Sequence, residues 1–303
     1  MKRASIDIGT NSVLLLVAEI QSGSISVLDE KQEVPRLGKS VDNSRNLHHE
    51  SIERVLQVLT DFKDFLQNYY PEVLDEVIVT ATSAVRDASN RDEFIGIVKK
   101  STGWEVRLLS GEEEAQTTFK GALSVLNDRE NTKNVILDIG GGSTEIAYGA
   151  GLIQGTAFSI DMGSVRFTER FFDTDPPHAE STQKLRNEVQ RLLYPHKVPF
   201  SNFDAIGVAG TVTSIAAIKK GLQDYDAEAL NGFRLQRDDV VQFIGEISSI
   251  SASNIEQQYP PFLTGREDII LAGILILDEF MQWCNKKELI VSTGGIRHGI
   301  ITF

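Results

Sequence analysis

The sequence is poor in cysteine and histidine, and it has no long apolar run. Its single cysteine, Cys284, excludes an intramolecular disulfide and is typical of a reducing compartment. The five histidines show no metal-ligand spacing, so a histidine-based zinc site is not expected. The longest apolar run, Ile269 to Leu277, has nine residues and is too short to span a bilayer. With no signal-peptide pattern after Met1, these features predict a soluble, cytoplasmic protein with no membrane partner.

Basic residues are also scarce relative to acidic ones. The chain has 30 lysines and arginines against 43 aspartates and glutamates, which gives a formal net charge of −13. Sequence-independent nucleic-acid binding requires a basic footprint, so we expect no nucleic-acid partner. A polyanionic substrate is not excluded, because a site can be locally basic or neutralised by a metal ion within an acidic protein.

A length of 303 residues favours two domains, and an internal repeat supports this division. Residues 7–12 read D-I-G-T-N-S, and residues 138–143 read D-I-G-G-G-S. Each copy follows a short apolar strand, precedes another strand and leads to a glycine turn, near Gly23 in the first copy and at 149–151 in the second. These shared flanks indicate a duplicated domain.

Helical and strand patterns alternate along the rest of the chain, which favours an α/β fold with a partly parallel sheet. The predicted helices are 47–70, 92–100, 112–126, 182–193, 212–219, 238–250 and 269–283, and the predicted strands include 77–80, 104–109, 205–209 and 288–292. The polar segment 127–132 is the best linker candidate. We therefore predict an N-terminal domain of residues 1–126 and a C-terminal domain of residues 127–303.

The second copy of the repeat continues as D-I-G-G-G-S-T-E and has the composition of an anion cradle. Its glycines let backbone N–H groups converge on an anion, and its hydroxyls add donors. The candidate donors are Gly140, Gly141, Gly142, Ser143 and Thr144. Asp138 and Glu145 lie seven positions apart across the hairpin, so their carboxylates can face one cleft and suit Mg²⁺. The alternative is a glycine-rich hairpin that only turns the chain.

The first copy predicts a similar cradle. Its candidate donors are Gly9, Thr10, Asn11 and Ser12. Asp7 is either a ligand of the metal or of a water, or a turn residue that bonds its own backbone. Two cradles with a metal ion would suit a chain of several phosphates.

Three consecutive glutamates follow Ser110 and Gly111. Ser110 and Glu113 have the spacing of a capping box, and Glu112 suits the first turn of a helix, where the macrodipole favours negative charge. The cap does not need Glu114. This spare carboxylate is a candidate general base for a water nucleophile, although acidic first turns are common.

Several arginines and glycines occur in turns where they could contact phosphate. Arg36, Arg86, Arg166, Arg266 and Arg297 are such arginines, although a single arginine usually forms only a surface ion pair. Gly210 with Thr211, and Gly294 with Gly295, form turns that could admit a phosphate or a nucleotide.

Five motifs in order resemble the exopolyphosphatase/guanosine pentaphosphate phosphohydrolase family of the actin-like superfamily. They are D-I-G-T-N-S, T-A-T-S-A-V-R, S-G-E-E-E-A, D-I-G-G-G-S-T-E and S-T-G-G-I-R-H-G, and they cover essentially the whole chain. The resemblance implies two ribonuclease H-like domains with mixed sheets flanked by helices, and an active site in the interdomain cleft. It also implies hydrolysis of the terminal phosphoanhydride of inorganic polyphosphate, or of the 5′ γ-phosphate of guanosine pentaphosphate.

The resemblance assigns roles to individual residues. The catalytic glutamate maps onto Glu114, the phosphate-gripping arginine onto Arg86, and the magnesium carboxylates onto Asp138 and Glu145; Mn²⁺ is an alternative metal. Longer members carry a further C-terminal helical region, and this sequence ends at Phe303 without one. The resemblance therefore does not extend to processive action on very long polyphosphate.

Alternative hypotheses stay open at this point. An actin-like kinase would use ATP to phosphorylate a sugar, but it would usually need an acceptor pocket and an aspartate base. A non-catalytic sensor of guanosine penta- or tetraphosphate would have no need of a base such as Glu114. The number of subunits is also open, with a homodimer as one candidate.

Overall fold

A computed structural model describes residues 1–21, 24–127, 129 and 131–302. It divides into two compact units. Unit 1 is Met1–Ser124 together with the segment that begins at Gly294, and unit 2 is Val125–Thr293. The predicted turn at Gly23, and the linker positions Asp128 and Glu130, lie outside the described residues.

Unit 1 is built around a five-stranded mixed sheet with the order β3-β2-β1-β4-β5. Strands β1 to β3 form an antiparallel meander, whereas β4 and β5 run parallel to β1. The strands are β1 (Lys2–Ile8), β2 (Val13–Gln21), β3 (Ser24–Glu33), β4 (Ile78–Ala81) and β5 (Val106–Leu108). The helices are α1 (Val41–Ser44), α2 (His49–Tyr69), α3 (Ser83–Asp87), α4 (Arg91–Thr102) and α5 (Gly111–Ser124), with a 3-10 turn at Pro71–Glu76.

Unit 2 repeats this arrangement in a six-stranded sheet with the order β10-β11-β9-β6-β7-β8. Its meander is β6 (Lys133–Ile139), β7 (Thr144–Ala150) and β8 (Ile153–Ile160), and the parallel neighbours of β6 are β9 (Asp204–Val208) and then β11 (Glu288–Val291). The remaining elements are β10 (Arg234–Gln236), α6 (Ser164–Phe171), α7 (Ala179–Leu193), α8 (Ala209–Lys220), α9 (Ala227–Leu230), α10 (Arg237–Ile247), α11 (Ala252–Gln258) and α12 (Ile270–Trp283). The shared topology agrees with the predicted duplication, and two mixed sheets flanked by helices confirm the predicted fold class.

Apolar spacing explains how the helices cover these sheets. In α2, the buried residues Ile52, Val55, Leu59, Phe62 and Leu66 recur at intervals of three and four, so one face of the helix packs onto the core of unit 1. Helix α12 is apolar on nearly every side and lies within the core of unit 2. Among the described helices, none combines the length and the apolar character that a membrane span requires.

The C-terminal segment from Gly294 onward belongs to unit 1, which differs from the predicted second domain of residues 127–303. The last helix, α13 (Ile296–Ile300), packs in unit 1 rather than in the second domain, where the sequence had placed everything after residue 126. Gly121 of α5 lies directly against the carbonyl of Gly295, and Gly299 lies against the carbonyl of Thr117, so a methyl group at either glycine would overlap backbone. Ser5 Oγ also donates to Arg297 O at 2.9 Å. These close contacts fix the returning segment to unit 1.

Candidate active site

The two predicted magnesium carboxylates lie directly opposite each other in unit 2. Asp138 on β6 pairs with Glu145 on β7, and directly opposed residues of an antiparallel pair project from the same face. Both side chains are largely buried, with 8% and 2% of the residue exposed. Glu145 Oε1 accepts a hydrogen bond of 2.6 Å from Ser159 Oγ on β8, which orients this carboxylate. The structure therefore brings Asp138 and Glu145 together, as their spacing predicts.

The donor set of this pair fits a hard cation that keeps most of its water ligands. No cluster of three or more histidine, cysteine, aspartate or glutamate side chains is placed to hold a metal ion among the described residues. A pair of carboxylates suits Mg²⁺, which commonly binds one or two carboxylates, several waters and substrate phosphates. Asp7, the third predicted ligand, belongs to unit 1 and accepts a hydrogen bond of 3.2 Å from Thr80 Oγ1.

The second loop, residues 140–143 between β6 and β7, is a tight turn closed by a hydrogen bond of 3.0 Å from Gly140 N to Ser143 O. The carbonyls of Gly140 and Gly141 accept hydrogen bonds from the start of α6. Thr144 Oγ1 donates to Met162 O at 2.6 Å, and the residue is fully buried. A phosphate contact by this hydroxyl, as the sequence predicts, would require that bond to break.

The first loop, residues 9–12 between β1 and β2 in unit 1, is closed by the same kind of hydrogen bond. Gly9 N donates to Ser12 O at 2.9 Å, and Thr10, Asn11 and Ser12 are all buried. Arg36, predicted as a phosphate contact, lies beside this loop, because its backbone N–H donates to Asn11 O at 3.0 Å. Arg36 has a φ of 53°, a conformation that non-glycine residues rarely adopt. The structure thus brings Arg36 to the first loop.

The predicted base and the predicted arginine form a buried ion pair in unit 1. Arg86 Nη1 lies 2.9 Å from Glu114 Oε2, and the same nitrogen donates to Leu109 O at 3.1 Å. The Glu114 side chain is only 7% exposed and that of Arg86 22%. The guanidinium therefore fixes the position of the carboxylate, and this pairing was not predicted from the sequence.

The neighbouring Glu113 forms the predicted capping box. Its Oε2 accepts a hydrogen bond of 2.9 Å from Ser110 N, and its own N–H donates to Ser110 Oγ at 3.2 Å. The backbone N–H of Ser110, followed by Arg107 and the Ser110 hydroxyl, holds the pKa of Glu113 below its usual value. Glu112 is held by Gln116 on the helix surface. Of the three glutamates, only Glu114 is buried.

Gly210 and Thr211 lie in the first turn of α8, which follows β9 directly. Because β9 is parallel to β6 and Val208 pairs with Asp138, this turn lies at the same edge of the sheet as the second loop. Gly210 lies directly under the guanidinium of Arg266, where a Cβ would overlap it. Burial lowers the pKa of Arg266 to about 10. The structure thus places Gly210, Thr211 and Arg266 near the second loop.

The two remaining candidate arginines, Arg297 and Arg166, make ion-pair or backbone contacts within the protein. Arg297 Nη1 lies 3.0 Å from Glu30 Oε1 and donates to Leu15 O at 3.2 Å. Arg166 is 6% exposed, and its Nε donates to Gly142 O at 2.5 Å. Arg166 therefore touches the second loop from the carbonyl side, a placement that its turn context in the sequence does not reveal.

Several known proteins are similar to this chain in sequence and in fold. A model of the Ppx/GppA phosphatase family matches residues 16–302. A bifunctional 3-dehydroquinate synthase/phosphatase from Fusobacterium nucleatum is 35% identical over 99% of this chain, which spans 46% of that protein. Exopolyphosphatase 2 from Mycobacterium tuberculosis is 31% identical, with 98% of this chain and 96% of that protein covered. The crystal structure of an Aquifex aeolicus Ppx/GppA family member superposes with a TM-score of 0.82 at 30% identity, covering 100% of this chain and 96% of that chain.

Proposed function

This chain belongs to the Ppx/GppA phosphatase family, and from that membership we propose that it is an exopolyphosphatase. The reaction is hydrolysis of the terminal phosphoanhydride of inorganic polyphosphate, with release of orthophosphate. The observation that carries the proposal is the buried ion pair of Arg86 and Glu114. Because Glu113 caps the helix, the Glu114 carboxylate has no capping role, and its position beside Arg86 suits a base. The similarity to an exopolyphosphatase over nearly the whole chain supports this choice of substrate.

In the proposed mechanism, Glu114 orients the attacking water and accepts one of its protons. The water oxygen forms a bond to the terminal phosphorus, and the bond between this phosphorus and the bridging oxygen breaks, so the shortened chain leaves with the bridging oxygen. Arg86 holds Glu114 through Nη1 and offers its other guanidinium N–H groups to oxygens of the terminal phosphoryl group. Catalysis of this kind depends mostly on positioning and charge stabilisation.

Each unit has a glycine-containing loop that can supply hydrogen-bond donors to phosphate. In unit 2 these are the backbone N–H groups of Gly141 and Gly142 and both donors of Ser143. In unit 1 they are the corresponding donors of the loop from Gly9 to Ser12. Turns of this shape gather N–H groups around an anion.

We further propose that Asp138 and Glu145 hold Mg²⁺, or Mn²⁺ as an alternative. Their opposition across the hairpin and their oxygen-only chemistry support this assignment. When bound, the cation would neutralise charge on the phosphate oxygens. A cytoplasmic location is part of the same proposal and is supported by the low cysteine content.

A side-by-side assay of phosphate release tests the proposed function. The purified chain is incubated with Mg²⁺ and with short polyphosphate, long polyphosphate or guanosine pentaphosphate, and released orthophosphate is measured. We expect the highest kcat/KM with polyphosphate. A clear preference for guanosine pentaphosphate would reassign the substrate within the family. Binding of that nucleotide without release under varied Mg²⁺ and Mn²⁺ would favour a sensor, and phosphate transfer from ATP to a sugar would favour a kinase.

A further inference from the structure

The start of α6 binds every carbonyl of the glycine triplet in the second loop. Ser164 N donates to Gly140 O at 2.9 Å, and Ser164 Oγ lies 3.3 Å from the same oxygen. Val165 N and Arg166 N both donate to Gly141 O, at 2.9 and 3.0 Å. Arg166 Nε then donates to Gly142 O at 2.5 Å. Three consecutive carbonyls therefore point towards one short segment, residues 163–166.

Unit 1 contains a related arrangement, in which backbone N–H groups bind two carbonyls of its own loop. Gly38 N donates to Thr10 O at 2.7 Å, and Arg36 N donates to Asn11 O at 3.0 Å. In the aligned repeats, Thr10 corresponds to Gly141 and Asn11 to Gly142. The donors come in both units from the segment that follows the third strand of the meander. Because such contacts to the loop carbonyls occur in both units, we regard them as a feature of the duplicated fold.

A glycine lets each of these segments approach its loop. A Cβ at Gly163 would overlap the Gly141 carbonyl, and a Cβ at Gly38 would overlap the side chain of Thr10. Gly163 has a φ of −153°, which any residue can adopt, so space rather than backbone conformation requires a glycine there.

This arrangement determines the direction of the amides. In a trans peptide the carbonyl and the following N–H point in opposite directions, because the unit is planar. Carbonyls fixed towards residues 163–166 therefore turn the N–H groups of Gly141, Gly142 and Ser143 towards the other side of the loop. Donors that are already oriented bind an anion without reorganisation, and no carbonyl lone pair opposes it.

We propose that residues 163–166 form a carbonyl clamp that pre-orients the phosphate-binding amides, with Arg166 as a positioning residue that acts through Gly142 O. This inference rests on the proposed function, in which the second loop binds phosphate. Arg166 does not need to touch phosphate, because its Nε is committed to the carbonyl side of the loop and the residue is buried. The segment in unit 1 that contains Arg36 and Gly38 has the same role for the first loop.

The test uses the whole chain and orthophosphate as the probe. In Arg166→Met the donors and the charge are lost. Arg166→Lys keeps the charge but has a CH2 group at the position of Nε, with its donors one bond further along the side chain. Arg170→Met is the matched control, because it removes the same charge from an exposed position of the same helix. The readouts are the KM and kcat for polyphosphate, the rise in melting temperature with orthophosphate, and amide hydrogen exchange at residues 141–143.

We expect Arg166→Met and Arg166→Lys each to weaken orthophosphate binding and raise KM by roughly tenfold, the usual worth of a charge-assisted hydrogen bond. With orthophosphate present, exchange at residues 141–143 should be faster than in the unmodified chain while that of β6 stays unchanged, and Arg170→Met should match the unmodified chain. Wild-type phosphate affinity in folded Arg166→Met would overturn the proposal, since no donor at position 166 would then be needed. If Arg166→Met does not fold, Arg166→Lys and the milder Ser164→Ala decide by the same readouts.

The failure of the clamp and the failure of the proposed function give different results. A chain that binds orthophosphate but releases none from polyphosphate would contradict the exopolyphosphatase function, while the binding and exchange measurements would still decide the clamp. A chain that hydrolyses polyphosphate normally with Met or Lys at position 166 would contradict the clamp alone.

Discussion

At the scale of single residues, two adjacent glutamates at the start of α5 have opposite environments. Glu113 is on the surface and caps its own helix, whereas Glu114 is buried against Arg86. In Glu114→Gln we expect turnover to fall by on the order of 10²–10⁴, because the proposed general base is lost while the fold is kept. Initial rates of phosphate release from polyphosphate, accompanied by thermal melts, measure this effect.

Glu113→Gln is the internal control, because it removes the same charge one position away and keeps a residue that can complete a capping box. Its turnover should stay close to that of the unmodified chain. Near-normal turnover in folded Glu114→Gln protein would end the candidacy of Glu114 as the base. A larger loss at Glu113 would mean that the two roles are reversed.

The metal assignment gives a second prediction for single residues. In Asp138→Asn the Mg²⁺ concentration needed for half-maximal activity should rise by at least about tenfold, because the proposed site has few protein ligands and loses one of them. The shift of melting temperature with Mg²⁺ is the readout that does not depend on turnover. Asp161→Asn, at an exposed position after β8, is the charge-matched control. Unchanged titration curves would remove Asp138 from the site.

Residue spacing predicted some of these contacts and missed others for a physical reason. A capping box and a hairpin are local, so the roles of Ser110 with Glu113 and the opposition of Asp138 to Glu145 could be predicted from positions three and seven apart. The contact of Arg86 with Glu114 joins two elements that meet only in the folded unit. The same is true of Arg166 and Gly142.

At the scale of elements, α12 is held to its neighbours by buried charges as well as by apolar packing. Arg186 on α7 contacts both Asp278 and Glu279, whose side chains are 3% and 2% exposed, at 2.7 and 2.6 Å. Arg237 on α10 contacts Asp278 at 2.8 Å. The three helices therefore share one ionic network, in which the carboxylates are buried and the arginines are partly exposed.

Removal of Arg186 should strongly destabilise this network. We expect Arg186→Met to lower the free energy of unfolding by roughly 3–5 kcal/mol, because two carboxylates stay buried with one cation fewer. Urea denaturation at neutral pH measures the change. Arg191→Met on the same helix breaks a pair with an exposed arginine and should cost about 1 kcal/mol or less. Equal effects of the two substitutions would contradict the importance of burial.

Replacement by alanine should change the stability of the protein in opposite directions at two helix glycines of unit 1, Gly96 and Gly121. Gly96 in α4 is exposed and has open space at its Cβ position, so Gly96→Ala should stabilise the protein by about 0.5–1 kcal/mol. Gly121 in α5 lies against the backbone of Gly295, so Gly121→Ala should destabilise it. Thermal and urea unfolding of both variants test the pair. Stabilisation by Gly121→Ala would contradict the close packing of the C-terminal segment.

At the scale of the whole molecule, the duplicated topology could be predicted but the return of the chain to unit 1 could not. The echo of D-I-G-x-x-S marks the first turn of each meander, and helical periodicity predicted the longer helices to within a few residues. The segment after Gly294 is short, and its pattern does not say which sheet it will meet. Its contacts with α5, β1, β2 and β3 assign it to unit 1.

Deletion of the segment from Gly294 onward should therefore damage unit 1 rather than the unit that precedes the segment in sequence. The deletion removes the buried side chains of Ile296, Ile300 and Ile301. We expect faster amide hydrogen exchange in β1, β2 and α5, with protection retained in β6, β9 and α12. Hydrogen exchange followed by mass spectrometry distinguishes the two units. Loss of protection confined to β11 and α12 would contradict the assignment.

This return of the chain has a consequence for the order of events on the ribosome. Because synthesis runs from the N-terminus, the sheet of unit 1 leaves the exit tunnel early. The last helix of unit 1, α13, is translated only after all of unit 2. At about 5–20 residues per second, the interval is roughly ten to thirty seconds. Unit 2, which is continuous in sequence, can complete its fold during that time. A nascent chain would therefore expose the surface of α5 around Gly121 to chaperones until the segment from Gly294 onward has been translated and has left the exit tunnel.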